Sequence, residues 1–177
     1  MIRNIAWVFF LFIAQVVMSF AANPKGIDVA ISSQNGSITI NGTTINSSSD
    51  VNALQGTLGK HNRVSIETGY KNYFYDELGI LIIENLQTEK IEGVAFQYNP
   101  RDSEFATKKG FKGKLMIDSS KIGRTKSATA IKKGLQVNII EDQPTKISAA
   151  NTKLRIDFLF NKIRQLELIY ATFKPEE

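Results

Sequence analysis

Apolar and polar residues alternate with a period of two over Ile27-Asp28-Val29-Ala30-Ile31 and again over Ile38-Thr39-Ile40, which predicts two half-buried strands flanking Asn35-Gly36. A third short strand is expected over Thr43 to Asn46. The period then changes. Val51, Ala53, Leu54 and Leu58 stand at helical spacing after Ser47-Ser48-Ser49-Asp50, and Gly59 follows. This predicts a helix of about two to three turns, with a Ser or Asp oxygen capping its free amides. Beyond a polar stretch, Tyr73-Phe74-Tyr75 leads to the apolar run Gly79-Ile80-Leu81-Ile82-Ile83-Glu84, a turn near Gln87 to Lys90, and a strand over Ile91 to Tyr98.

The pattern recurs 77 residues on. The seven apolar residues of segment 36–59 (Ile38, Ile40, Ile45, Val51, Ala53, Leu54 and Leu58) align without a gap on Leu115, Ile117, Ile122, Ala128, Ala130, Ile131 and Leu135 of segment 113–136. Met116 opposite Thr39 is the one break in the match. In the second segment Thr125 or Ser127 can cap the helix. Leu154, Ile156, Phe158 and Phe160 then alternate, Asn161-Lys162 turns, and Ile163 to Phe173 returns. Both halves therefore read as ββαββ, with short connections that favour antiparallel sheets with one wet face. The expected fold is α+β, a tandem duplication of a ββαββ unit with one short helix per repeat. Asn99-Pro100-Arg101-Asp102 has the composition of a linker, so the predicted organisation is residues 1–22 as a signal peptide, 23–100 as the first repeat and 101–177 as the second.

The signal peptide rests on Arg3, the apolar run from Ile5 to Val17 interrupted only by Gln15, and the small residues around Ala21 and Ala22, where cleavage is expected. An uncleaved anchor is the alternative, because residues 5–22 are nearly long enough to span a bilayer. The chain has no cysteine, so it is neither an acylated lipoprotein nor a disulfide-stapled fold, and it must bury its own core. Three sequons, at Asn35, Asn41 and Asn46, would invite glycosylation on a eukaryotic secretory path. Asn35-Gly36 and Asn41-Gly42 read instead as hairpin turns, where Asn and Gly supply positive φ. A short signal with a small-residue exit fits bacterial export, hence the periplasm.

Catalytic chemistry finds little support. His61 is the single histidine, in the loop after the first helix, so neither a Ser-His-Asp relay nor a multi-histidine zinc site can be assembled. Asp76-Glu77 and Glu141-Asp142 are sequence neighbours and would point to opposite faces of a strand. The glycines of Gly110-Phe111-Lys112-Gly113-Lys114 lack phosphate-loop spacing. No catalytic residue, metal or cofactor is expected. Charge is more informative: from Arg101 to Lys133 ten Lys and Arg stand against three Asp and Glu, whereas the remainder beyond residue 22 is slightly acidic. Such asymmetry steers an anionic partner. The candidate contact residues are Lys108, Lys109, Lys112, Lys126, Lys132 and Lys133, with a plain solvated face as the alternative. An acidic protein surface suits them better than nucleic acid, because a periplasmic location offers little nucleic acid; anionic lipid or glycan stays open. A second candidate surface is Tyr73 and Tyr75 with Asp76, since tyrosine is a frequent interface anchor. Its alternative is a tyrosine pair inside the core.

Leu58-Gly59-Lys60, a polar loop, and then Tyr73-Phe74-Tyr75-Asp76-Glu77-Leu78-Gly79-Ile80 resemble a pattern of small bacterial proteins, Leu-Gly-Lys-Pro followed by aromatic-Asp-x-x-Gly-Ile. Some of these accompany secreted antibacterial toxins as immunity proteins. His61 stands where that pattern prefers proline. The helix-then-sheet order in duplicate is also similar to the tandem architecture of β-lactamase inhibitor proteins, and as a single unit to small outer-membrane assembly lipoproteins. What these resemblances imply is protein binding. The expected function is thus a periplasmic, non-enzymatic protein that neutralises a toxin delivered by a contact-dependent secretion system. The alternative is an envelope structural or assembly factor that binds peptidoglycan or outer-membrane machinery.

Overall fold

The predicted alternations become strands whose inward residues are almost wholly sequestered. The computed structural model describes residues 26–100 and 102–175, so the expected signal peptide lies outside the described residues. In chain order the elements are β1 (Asp28–Ser32), β2 (Ser37–Ile40), β3 (Thr43–Ile45), a 3₁₀ turn (Val51–Leu54) running into α1 (Gln55–Leu58), β4 (Arg63–Glu67), β5 (Tyr70–Tyr75), β6 (Ile80–Asn85), β7 (Lys90–Gln97), β8 (Lys114–Ile117), β9 (Ser120–Ile122), α2 (Ala128–Gly134), β10 (Asn138–Gln143), β11 (Lys146–Ala150), β12 (Leu154–Phe160) and β13 (Leu166–Phe173). The chain is α+β and mostly β, with two short helices. Asp50 and Ser127 are the residues that cap, their side chains accepting from the Ala53 and Ala130 amides at 3.3 Å each.

Two sheets face each other across one core. The small sheet has the order β3-β2-β1-β8-β9 and the large one β10-β11-β12-β13-β7-β6-β5-β4. Val29, Ile31, Ile38, Ile40, Ile45, Leu115, Ile117 and Ile122 line the small sheet's inner face, none more than 2 % exposed. They share a cluster with Ile80, Ile82, Val94, Phe96, Ile156, Phe158, Ile169 and Phe173 of the large sheet and with Leu54 and Ile131 of the helical segments. Full burial of each aliphatic side chain contributes about 1.5–3 kcal/mol, so this shared interior is the principal source of stability.

The expected antiparallel pairing holds with one exception. β1 lies between the hairpins β2–β3 and β8–β9, antiparallel to β2 and parallel to β8. A single strand between two hairpins that run in opposite directions can oppose only one of them. Each hairpin turn clamps one end of β1. Asn41 exchanges bonds of 2.8 Å with the backbone of Asp28, while Asp118 accepts from Ser33 N at 3.0 Å and donates its own amide to Ile31 O at 2.8 Å. Both turn residues have left-handed φ, 46° and 52°, which short polar side chains tolerate. Asn41-Gly42 is the predicted two-residue hairpin turn, joining Ile40 to its partner Thr43. Asn35-Gly36 belongs instead to a four-residue loop, because Ser32 pairs with Ser37.

β2 and β3 recur as β8 and β9 with all four bounds displaced by 77 residues. The strand count in the ββαββ reading requires correction, since each helix is followed by four strands rather than two: β4–β7 after α1 and β10–β13 after α2. The two meanders join at the antiparallel β13–β7 pair to make the eight-stranded sheet. Of the strands missing from that reading, β4 and β10 are its edges, with residues mostly exposed, while β11 carries four consecutive buried residues and so shows no alternation of faces. An edge strand is held by its ladder more than by burial, so its sequence carries little apolar alternation.

Candidate functional site

Residues facing each other across paired strands share a face, and the register lays out both faces of the large sheet. One row runs Ile156–Ala171–Val94–Ile82–Tyr73 on the inner side. The adjacent row, on the outer side, runs Asp157–Tyr170–Ala95–Leu81–Phe74–Arg63. The outer face has a polar half and an apolar half. On the polar side, Glu141, Lys146, Ser148, Arg155 and Asp157 form a closed network, with Lys146–Glu141 at 2.6 Å and Arg155–Asp157 at 3.0 Å. The Lys146 ammonium, with Ser148 beside it, holds the Glu141 carboxyl below the usual carboxylate range. These groups satisfy one another.

The apolar half is different. Phe74, Leu81 and Ala95 are buried there, with Ile83, Leu168 and Tyr170 against them, apart from the main core. Cover comes from the β7–β8 connection, which is pinned across the face by Arg63. Its guanidinium donates to Glu104 O at 2.6 Å and to Ala106 O, pairs with Asp76 at 3.1 Å, and lies 3.5 Å from the centre of the Phe74 ring. The cover is partial. It leaves a groove of about 370 Å³ lined by Glu67, Tyr70, Asn72, Phe74, Leu81, Ile83, Glu92, Phe105 and Tyr170. Phe105 is 51 % exposed and Tyr70 38 %. Gly93 permits the floor: a Cβ there would fall 2.7 Å from Cε2 of Tyr170, so only glycine lets that ring lie across β7. Burial pushes the Tyr170 hydroxyl's pKa up, a bond with Thr172 works against the shift, and Glu92, Tyr70 and Asp157 add to it.

Two carboxylates flank the groove from opposite banks. Glu67 accepts from Asn72 Nδ2 at 2.8 Å and Glu92 from Asn85 Nδ2 at 3.0 Å. Those donors are neutral amides, and neither glutamate has an ion pair among the described residues.

The sequence-derived candidates fall elsewhere. Tyr73 and Tyr75 do not form an exposed face: they are 8 % and 3 % exposed and belong to the inner core. Both faces of β5 are covered here, one by the core and the other by Phe74's outer cluster, which the simple alternation of faces could not reveal. Asp76, 2 % exposed, is likewise not a contact residue. Its carboxylate serves Arg63 and accepts the Lys108 amide at 3.0 Å, and its carbonyl accepts the Lys109 amide at 3.0 Å. Asp76 thus ties the connecting loop to the first half. The six lysines are divided between two elements. Lys108, Lys109 and Lys112 lie on the β7–β8 connection, and Lys126, Lys132 and Lys133 on or just before α2. Lys109 pairs with Glu77, and Lys132 with Asp142 at 2.7 Å. Lys108, Lys112 and Lys133 are exposed. His61 stands edge-on to Tyr73 with ring centres 5.1 Å apart. Among the described residues no group of three or more His, Cys, Asp and Glu could hold a metal.

A second, larger cleft of about 1060 Å³ opens between the β1–β2 loop and the β11–β12 turn, lined chiefly by Asn35, Asn46, Asn138, Asn151, Lys153 and Lys174. Asn151 is already committed as a tie between the sheets, donating to Ser33 O at 2.6 Å.

A family model described as a domain of unknown function (DUF7738) matches residues 30–132, more than half of the chain, from β1 into α2. No curated protein matches the sequence. Among solved structures, a cysteine-rich secretory protein from Staphylococcus aureus is similar at 14 % identity and a TM-score of 0.38, over 71 % of this chain and 44 % of that one. The chain therefore spans less than half the length of that neighbour.

Proposed function

We propose that this chain, which belongs to the DUF7738 family, is a non-enzymatic protein-binding protein of the periplasm, exported by residues 1–22. In this reading it is an immunity protein that occludes the active cleft of a toxin delivered into the same compartment. The observation that carries the reading is the outer groove. Phe105 and Tyr70 stand half-exposed beside carboxylates that have no ion pair among the described residues. An isolated folded domain gains nothing from leaving large aromatic side chains in this state, whereas an interface uses them as anchors. The exposed lysines Lys108, Lys112 and Lys133 contribute by steering an acidic region of the partner. The scaffold is in this reading a tandem duplication, supported by the shared 77-residue displacement of the hairpins and by the two four-strand meanders. The resemblance of the Tyr75-Asp76-x-x-Gly79-Ile80 segment to immunity-type proteins points the same way.

The envelope-factor alternative draws on the second cleft, whose amides and two lysines suit a polar, anionic glycan such as peptidoglycan. The test is capture of the partner from a toxin-bearing strain, with protection of sensitive cells as the functional readout. The Phe105→Ala/Tyr170→Ala double variant, folded by circular dichroism, is expected to lose both the toxin and the protection. Undiminished protection would refute the groove, and retention of the parent protein on purified peptidoglycan, with no toxin captured, would favour the envelope factor.

A further inference from the structure

The groove's walls and rim specify what enters it. Tyr70, Phe74, Phe105 and Tyr170 supply four aromatic rings, and among the described residues the lining contains two acids and no base. Glu67 lies at the end of β4 and Glu92 on β7, strands separated by β5 and β6, which places their backbones about 14 Å apart at the usual strand spacing. The carboxylates therefore approach from either side of the aromatic floor. Each is fixed by a neutral amide that orients it and leaves its charge in place.

An apolar side chain entering this space would strip water from the rim carboxylates and return nothing to them, a cost comparable to the gain from its own burial. A cation recovers that cost by pairing with the carboxylates while its π-stacking on the rings adds a favourable term. The molecule already makes this contact at the groove's edge, where the Arg63 guanidinium lies over Phe74. Arg63 is itself committed to Asp76 and to the connecting loop, so it cannot turn to neutralise the rim. A planar guanidinium suits a narrow aromatic slot and can bond a carboxylate through two parallel N–H groups.

We propose that the groove receives an arginine side chain of the partner protein, held between the Tyr70, Phe105 and Tyr170 rings and the carboxylates of Glu67 and Glu92. The proposal rests on the reading of the outer face as a protein-binding surface and specifies the chemistry of its anchor. A bound toxin then contributes a basic residue at the centre of the contact, distinct from the acidic region that the exposed lysines steer.

The test uses the purified protein and small probes followed by nitrogen-edited NMR: N-acetyl-arginine methylamide, its neutral isostere N-acetyl-citrulline methylamide, and N-acetyl-leucine methylamide. The arginine probe is expected to shift the amide resonances of Tyr70, Glu92, Phe105 and Tyr170 at millimolar concentration, and the citrulline probe to bind at least about tenfold more weakly. Glu67→Gln/Glu92→Gln keeps an oxygen for each amide bond and should weaken the arginine probe by about the same factor, with an unchanged melt. Equal binding of arginine and citrulline, or a preference for leucine, would overturn the cationic anchor while leaving the groove as an interface. No shift with any probe would also overturn it. The protein-binding reading is judged separately by toxin capture and protection with the Phe105→Ala/Tyr170→Ala variant.

Discussion

Arg63→Ala should unfasten the connection between the two halves, and its cost can be worked from the contacts it removes. Asp76 is 2 % exposed, and Arg63 is the one cation within reach of its carboxylate among the described residues. Without the guanidinium the charge is left buried with the Lys108 amide as its remaining donor from the loop. Removing one partner of a buried pair costs about 3–5 kcal/mol, against at most about 1 kcal/mol for an exposed pair. Ala106 O and Glu104 O lose their donors as well. For a domain of this size the loss corresponds to a fall in Tm of roughly 6–20 °C. Urea unfolding followed by circular dichroism gives the free energy. Trypsin cleavage after Lys108 and Lys109 reports release of the loop and should accelerate. Adding Asp76→Asn to Arg63→Ala removes the stranded charge and should restore part of the stability. A loss below about 1 kcal/mol for Arg63→Ala, or a further loss on adding Asp76→Asn, would refute the assignment of Asp76 as a buried structural carboxylate.

Gly79→Ala should destabilise strongly, because φ is 70° and the new Cβ would stand 2.2 Å from the backbone nitrogen of Phe111. A melt within a few degrees of the parent would show that the β5–β6 turn and the connecting loop are not in contact. Burial pushes the Tyr98 and Tyr75 pKa values up, as it does that of Tyr170. Groups raised in the folded state keep their full contribution below the unfolded value near 10 and lose it as pH rises toward the folded values. Stability should therefore decline above about pH 10, and ultraviolet titration of the phenols should show a class that ionises only with unfolding; a single normal titration of all tyrosines in folded protein would contradict this. Replacing Lys108, Lys112 and Lys133 together by Glu should slow association with an acidic partner and flatten its salt dependence while leaving the melt almost unchanged. Equal on-rates at low salt would remove the lysines from the interface.

Some of this protein was legible in its chain because it is local. The alternation of Val29 and Ile31, and of Ile38 and Ile40, marks which face of each strand is buried. Asn41-Gly42 marks a turn needing two positive φ angles, and Asp50 and Gly59 mark the ends of a helical segment. Each signal depends on a residue's immediate neighbours, so periodicity and turn chemistry reveal it. The tertiary structure decided the rest. β4 and β10 were hidden because an edge strand is held by its ladder to a single neighbour, as Arg63 through Glu67 are by β5, and its mostly exposed residues carry little apolar alternation to read. Tyr73-Phe74-Tyr75 alternates faces as any strand does, but whether the second face meets water depends on the β7–β8 connection, whose residues lie some thirty positions away. The groove is the clearest case. Glu67, Glu92, Phe105 and Tyr170 come from four parts of the chain and meet because two meanders join at β13–β7, an arrangement set by the shared core and not by any pattern within the segments that carry those residues.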